Sequence, residues 1–142
     1  MVEVMGNPAL PPHSDALAAG KEVDWKEVFA GYSLQVDFPE AAVWHRLSIA
    51  FPDAKVIHIE SPEDDWWASY SKTIGKFFAL RPNMPLPPPV ASVFKTMDKA
   101  LIQDVFGGLG RESSIAAYRA NNAKVRATVP ADRLLVFTPA DG

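Results

Sequence analysis

The chain of 142 residues contains no cysteine, which removes disulfides, thiolate nucleophiles and Cys-ligated zinc together. Histidine is scarce as well: His13, His45 and His58 show no His-x-x-x-His spacing, so no metal site is expected. No apolar run approaches the roughly 18–20 residues that span a bilayer, and the stretch from Met1 to Pro8 lacks the basic and apolar regions of a secretory signal. A soluble, cytoplasmic protein with no membrane partner is expected. Surplus basic charge is also missing, because 14 Lys and Arg stand against 17 Asp and Glu, a net charge of −3. Without a global basic field, nucleic acid is not expected as a partner.

What is present is globular: 48% hydrophobic and 22% charged residues exclude a wholly disordered chain. The length suits one domain or a piece of one. Thirteen prolines are about twice the average share, so turns must interrupt short elements. The first twenty residues, with Pro8, Pro11, Pro12 and Gly20, read as a loop holding at most one helical turn, over 15–19. Asp24 followed by Glu27 has capping-box spacing, and Trp25, Val28, Phe29 and Tyr32 then repeat at helical intervals, predicting a short helix over 24–31. Ser33 to Val36 reads as a brief strand or extended turn. Pro39 then suits the first position of a helix that carries Ala42, Val43, Leu47, Ile49 and Ala50 and stops near Phe51-Pro52.

Lys55 to Ile59 is β-rich and flanked by Pro52-Asp53 and Pro62, the pattern of a buried parallel strand. Ser61, Pro62, Glu63 and Asp64 follow as N-cap, N1 proline and first-turn acids, launching one helix through Trp66, Tyr70, Ile74 and Phe78. Residues 80–90 hold five prolines, which oppose helix and favour a polyproline or irregular loop. Helices over 91–105 and 112–128 flank the break Gly107-Gly-Leu-Gly110, and Arg133 to Phe137 forms a second strand. The fold class is therefore α/β and helix-rich, with a partial parallel sheet flanked by helices. Two parallel strands are too few for a sheet covered on both faces, so either another chain completes the sheet or the chain is part of a larger domain.

The turn Ile59-Glu60-Ser61-Pro62 sits where α/β proteins bind ligands, at the carboxyl end of a strand and the start of a helix. Ser61 reads either as a phosphate contact or simply as an N-cap worth about 0.5–2 kcal/mol. Glu60, Glu63, Asp64 and Asp65 place four negative charges around it, which oppose an anion by Coulomb repulsion. Trp66, Trp67, Tyr70, Phe77 and Phe78 read as core packing before they read as a base-stacking platform. His58, in mid-strand, reads as a hydrogen-bonded structural histidine before a catalytic base. Gly107 to Gly110 follows a helix and lacks a Gly-Lys-Ser/Thr ending, so it is a helix-to-helix break and no complete P-loop exists in the chain. Pro82-x-x-Pro85 and Pro85-x-x-Pro88 match the minimal SH3-ligand spacing, with a rigid connector as the plainer account.

Taken in order, several stretches resemble the sulfotransferase family: Glu3-Val-Met5, Val23-Asp-Trp25 with Phe29-Ala-Gly-Tyr32, Val36-Asp-Phe-Pro39 leading to Trp44, and Phe51-Pro-Asp-Ala-Lys-Val-Ile57. Trp66-Trp-Ala-Ser-Tyr70 with Lys72-Thr-Ile74, Tyr118, Asn122-Ala-Lys-Val-Arg126, and Val129-Pro130 with Arg133-Leu-Leu-Val136 continue the series. The resemblance implies a P-loop NTPase-like sheet and transfer of a sulfuryl group from 3′-phosphoadenosine 5′-phosphosulfate (PAPS) to a hydroxyl or amine of a small-molecule acceptor. It implies no metal. In the family, a first strand and glycine-rich loop hold the 5′-phosphosulfate. A later arginine, with a serine eight residues on, holds the 3′-phosphate. In this chain that spacing falls on Ser61 and Ser69, so Ser61 replaces the arginine, and Asp37, at the end of the Leu34–Val36 stretch, is a candidate either for the acceptor side or for a helix cap. The first strand and its loop are absent, and a tryptophan-containing closing helix is expected beyond Gly142. The resemblance therefore implies a single partial domain over 1–142, with its activity in doubt. The alternative is a non-catalytic module that self-associates through an uncovered sheet edge.

Overall fold

A computed structural model describes residues 22–36, 40–85, 94 and 97–139. The backbone divides into two compact units, residues 1–52 and 53–142. In the first unit, helix α1 (Trp25–Val28) starts where the sequence places it: the Asp24 carboxylate accepts the Lys26 N–H at 3.0 Å and the Glu27 N–H at 3.2 Å, satisfying donors that a helix start leaves orphaned. Trp25 and Val28 are buried, and the Trp25 ring stacks on Phe29 at 6.3 Å. Gly31 ends the segment at φ 85°, a left-handed conformation that costs glycine little. Ser33 to Val36 form no strand, so of the two readings for this stretch the irregular, turn-like one is observed. A 3₁₀ turn (Glu40–Val43) leads into helix α2 (Trp44–Ala50), which stops at Phe51. Asp37 and Pro39 lie outside the described residues, as do the loop of the first twenty residues and its helical turn.

In the second unit, strand β1 (Val56–Ile59) pairs in parallel with strand β2 (Leu134–Phe137), Val56 opposite Leu134 and Ile59 opposite Phe137. Among the described residues these two strands make up the whole sheet. Both alternate half-buried and exposed residues along their length, as strand geometry requires. The start of the pair is fastened by side chains: Lys55 Nζ donates to the Asp132 carbonyl and Arg133 Nε to the Ala54 carbonyl, each at 2.9 Å.

The helix expected to run from Ser61 to Phe78 is two helices, α3 (Glu63–Lys72) and α4 (Ile74–Leu80). The chain bends at Thr73, at φ −114° and ψ −94°, where the hydroxyl donates to the Ser69 carbonyl at 2.7 Å. Such a bond competes with the helix ladder and bends it. Gly75 is required just beyond the bend, because a Cβ there would stand 3.1 Å from the Tyr70 ring and 3.3 Å from the Tyr70 carbonyl oxygen. Arg81–Asn83 form a 3₁₀ turn despite Pro82, since a proline in the first turn surrenders only an N–H that would be orphaned there. The rest of the proline loop, residues 86–90, lies outside the described residues.

The helix expected over 91–105 is seen from Met97 onward, apart from Phe94, and winds as a π-helix over Asp98–Gln103. The wider turn is spanned by Gln103 Nε2 donating to Asp98 at 2.9 Å and Lys99 Nζ donating to Asp104 at 2.8 Å. Gly107 and Gly108, at φ 64° and 122°, close it. Helix α5 (Arg111–Thr128) then runs eighteen residues and delivers the chain to β2. Phe78, Ile102, Ile115, Val125 and Val129 are buried, with Trp66, Tyr70, Phe106 and Tyr118 forming one aromatic cluster. The stacking-platform residues of α3 are thus mainly core, as the sequence suggests.

Candidate functional site

The structure places the strand–turn–helix junction of β1 and α3 against one face of α5. Tyr118, Asn122 and Arg126 recur on α5 at four-residue intervals, the spacing that shares a helix face, and Arg119 stands next to Tyr118, three residues before Asn122. Each of the four touches the junction. The Tyr118 ring stacks on Trp66 at 4.4 Å, and Trp66 stacks on Tyr70 at 5.0 Å. This fixes the Tyr118 hydroxyl over Ser61, where it accepts the Ser61 N–H at 2.8 Å and donates to the Ser61 carbonyl at 3.0 Å.

Asn122 Oδ1 lies 3.1 Å from His58 Nε2, and the same nitrogen is 3.4 Å from Glu60 Oε1. The His58 ring is thus on the α5 side of the sheet, hydrogen-bonded to a helix amide as its mid-strand position suggests. Arg126 forks onto Glu60, Nε to Oε1 at 2.8 Å and Nη2 to Oε2 at 3.0 Å. Arg119 forks onto Glu63 in the same way, at 2.8 and 2.7 Å. Arg111, at the start of α5, pairs with Asp64.

Three of the four acids that crowd the turn in the sequence are therefore matched one to one by guanidinium groups. The Arg126 hydrogen bonds hold the Glu60 carboxyl below its ordinary range against a partial offset from burial, with further help from the Arg126 charge and from His58. The Arg119 hydrogen bonds do the same for Glu63, and both arginines are shifted upward in return. Of the four negative charges that oppose an anion in the bare sequence, the fold leaves one uncompensated among the described residues, at Asp65. Sequence reasoning missed these three arginines, although their spacing of two helical turns along α5, opposite a cluster of acids, is a legible charge pattern.

The two serines at family spacing sit differently. Ser61 is half-buried at the turn itself, and Ser69 is exposed on α3. The Ser61 N–H, the donor that strand–turn–helix sites usually offer to phosphate, already belongs to Tyr118, which leaves the side-chain hydroxyl as the group Ser61 can present. Pro62 occupies the cap position of α3 without a side-chain capping bond, and Glu63 is the first helical residue. The N-cap role expected of Ser61 is therefore not observed. The chain turns one residue later, where proline's fixed φ suits the entry to a helix. An open groove of about 710 Å³ runs along the start of α3 and the first half of α5, lined by Glu63, Asp64, Arg111, Ile115 and Arg119 among others. No group of His, Asp and Glu that could hold a metal occurs among the described residues.

Parallel strands joined through helices, with a polar turn at their carboxyl ends, define a helix-rich α/β protein with its candidate site at that turn. The chain matches the sulfotransferase domain family over residues 1–142, and it belongs to that family. A search of curated proteins finds no match.

Proposed function

We propose that the chain serves sulfuryl transfer from PAPS to a hydroxyl or amine of a small-molecule acceptor in the cytoplasm, with the β1–α3 turn facing the donor's 3′-phosphate. The match to the sulfotransferase domain family along the whole chain carries this reading. The chemistry of the turn supports it: the Ser61 hydroxyl lies at a turn whose flanking residues Glu60, Glu63 and Asp64 each carry a guanidinium group, and such groups offer charge-assisted hydrogen bonds to a phosphate monoester. When bound, PAPS supplies an activated sulfuryl group and a phosphate leaving group. The residues of this chain bind and orient, with Ser61 and Ser69 contacting the 3′-phosphate and Tyr118 fixing the backbone from which Ser61 projects. Holding the nucleotide in one pose is what converts binding into a reactive geometry.

An arginine in place of Ser61 would give the phosphate a charged, forked donor where serine gives one neutral hydroxyl. Calorimetry with adenosine 3′,5′-bisphosphate tests the assignment. Ser61→Arg is expected to tighten binding by about tenfold or more, and Ser69→Ala to weaken it by about three- to tenfold, the scale of one hydrogen bond. Unchanged affinity in both variants contradicts the placement.

A second reading, self-association, has its own observation. Ile57, Ile59, Leu135 and Phe137 project from one face of the sheet and are 41–65% exposed, and both strands have a free edge among the described residues. Pairing of one such edge with the same edge of a second copy would satisfy its open backbone groups and join two apolar faces into one.

A further inference from the structure

We propose that Arg119 and Arg126 are anion ligands of the β1–α3 turn, supplying the charged forks that Ser61 lacks, and that Glu60 and Glu63 are the positioning residues that aim them. The inference rests on the donor reading above and concerns residues that the serine spacing does not include.

Each carboxylate grips its arginine by the Nε–Nη2 edge. A guanidinium has a second edge, Nη1–Nη2, that can engage another oxyanion at the same time. Neither arginine has a further partner among the described residues, and their side chains are 67% and 55% exposed. The grip therefore leaves an outward fork on each side chain and removes much of its rotational freedom, so less ordering entropy is lost when that fork closes on an anion.

Placement follows from the contacts. Glu60 immediately precedes Ser61, and Glu63 follows it by two residues. Tyr118, whose hydroxyl spans Ser61, is the neighbour of Arg119. The two guanidinium groups thus bracket the serine from the α5 side. Arg119 also lines the groove along α3. Glu60 and Glu63 each offset one arginine charge, so their repulsion of an anion is largely cancelled, while the two outward forks still offer charge-assisted hydrogen bonds to a phosphate monoester. Arg111, paired to Asp64 one residue beyond Glu63, extends the row along the groove.

The test is a titration of the full chain, labelled at arginine nitrogens for NMR, with adenosine 3′,5′-bisphosphate and separately with inorganic phosphate. The side-chain resonances of Arg119 and Arg126 are expected to shift saturably with the bisphosphate, while those of Arg133, at the opposite end of the sheet, stay in place. By calorimetry, Arg119→Ala and Arg126→Ala should each weaken bisphosphate binding at least about tenfold, and Arg133→Gln by less than about twofold. Circular dichroism shows whether each variant folds, and the wild-type resonances decide the matter if one does not. Bisphosphate binding that leaves both arginines unshifted overturns the inference while the donor reading stands. Shifts with inorganic phosphate, with no tighter binding of the bisphosphate, uphold the anion site and overturn the donor reading. No shift with either ligand overturns the inference.

Discussion

A single hydroxyl, that of Tyr118, meets both backbone groups of Ser61, fifty-seven residues earlier in the chain. Tyr118→Phe would keep the ring stacked on Trp66 and remove both bonds, leaving a half-buried N–H without a partner. The expected loss is about 1–3 kcal/mol of unfolding free energy, read from denaturant midpoints at unchanged slope. A variant as stable as the parent would show that the hydroxyl does not hold the turn. Elsewhere the hydroxyls are less well served. Tyr70 and Ser114 are buried near one another, yet neither completes a hydrogen bond of good geometry. Burial pushes the Tyr70 phenol upward, offset in part by the Ser114 hydroxyl. Residue roles were unevenly legible in the sequence. That His58 would be hydrogen-bonded was legible from its place between two isoleucines in a strand, whereas the bonds of Tyr118 were not, because its partner lies far away in sequence and is met only once α5 packs on the sheet.

At the scale of elements, α5 acts as a row of cations docked on a row of acids. Helix periodicity exposed α5 and the capping pattern exposed α1, because both signals are local. The break at Thr73 was hidden: Ile74, Phe77 and Phe78 continue the apolar period of α3, and only the threonine back-bond and the close approach of Gly75 to Tyr70 show why the helix divides. The three arginine–carboxylate pairs were hidden for a related reason, since their partners lie 47 to 66 residues apart.

These pairs predict a sign for pH dependence. The carboxyls of Glu60 and Glu63 are held below their unfolded values in the native state. Their contribution is present above the unfolded carboxylate range, near pH 4.3, and is lost as pH falls through the lower folded values. Melting temperature followed from pH 7 to pH 3 should drop across that interval, and the Glu60→Gln/Glu63→Gln double variant should drop less steeply over the same range. Parallel acid limbs in the two proteins would contradict the account.

For the whole molecule, both strands and their parallel pairing were legible from two short β-rich runs bounded by proline and turn residues. The expectation that two strands leave a sheet short of cover is visible in the exposed face formed by Ile57, Ile59, Leu135 and Phe137. If a second copy pairs along an edge of that sheet, light scattering should give a mass that falls toward 15.5 kDa over about a hundredfold dilution, as mass action requires. A constant monomer mass throughout would contradict self-association and leave the donor reading untouched.

That reading, that a member of the sulfotransferase domain family uses its β1–α3 turn to hold a nucleotide 3′-phosphate, is tested most directly by titrating the unaltered chain with adenosine 3′,5′-bisphosphate in a calorimeter. Saturable binding at one site per chain, stronger for the bisphosphate than for adenosine 5′-monophosphate, is the predicted result. No heat up to about 1 mM ligand, or equal affinity for the two nucleotides, would contradict it.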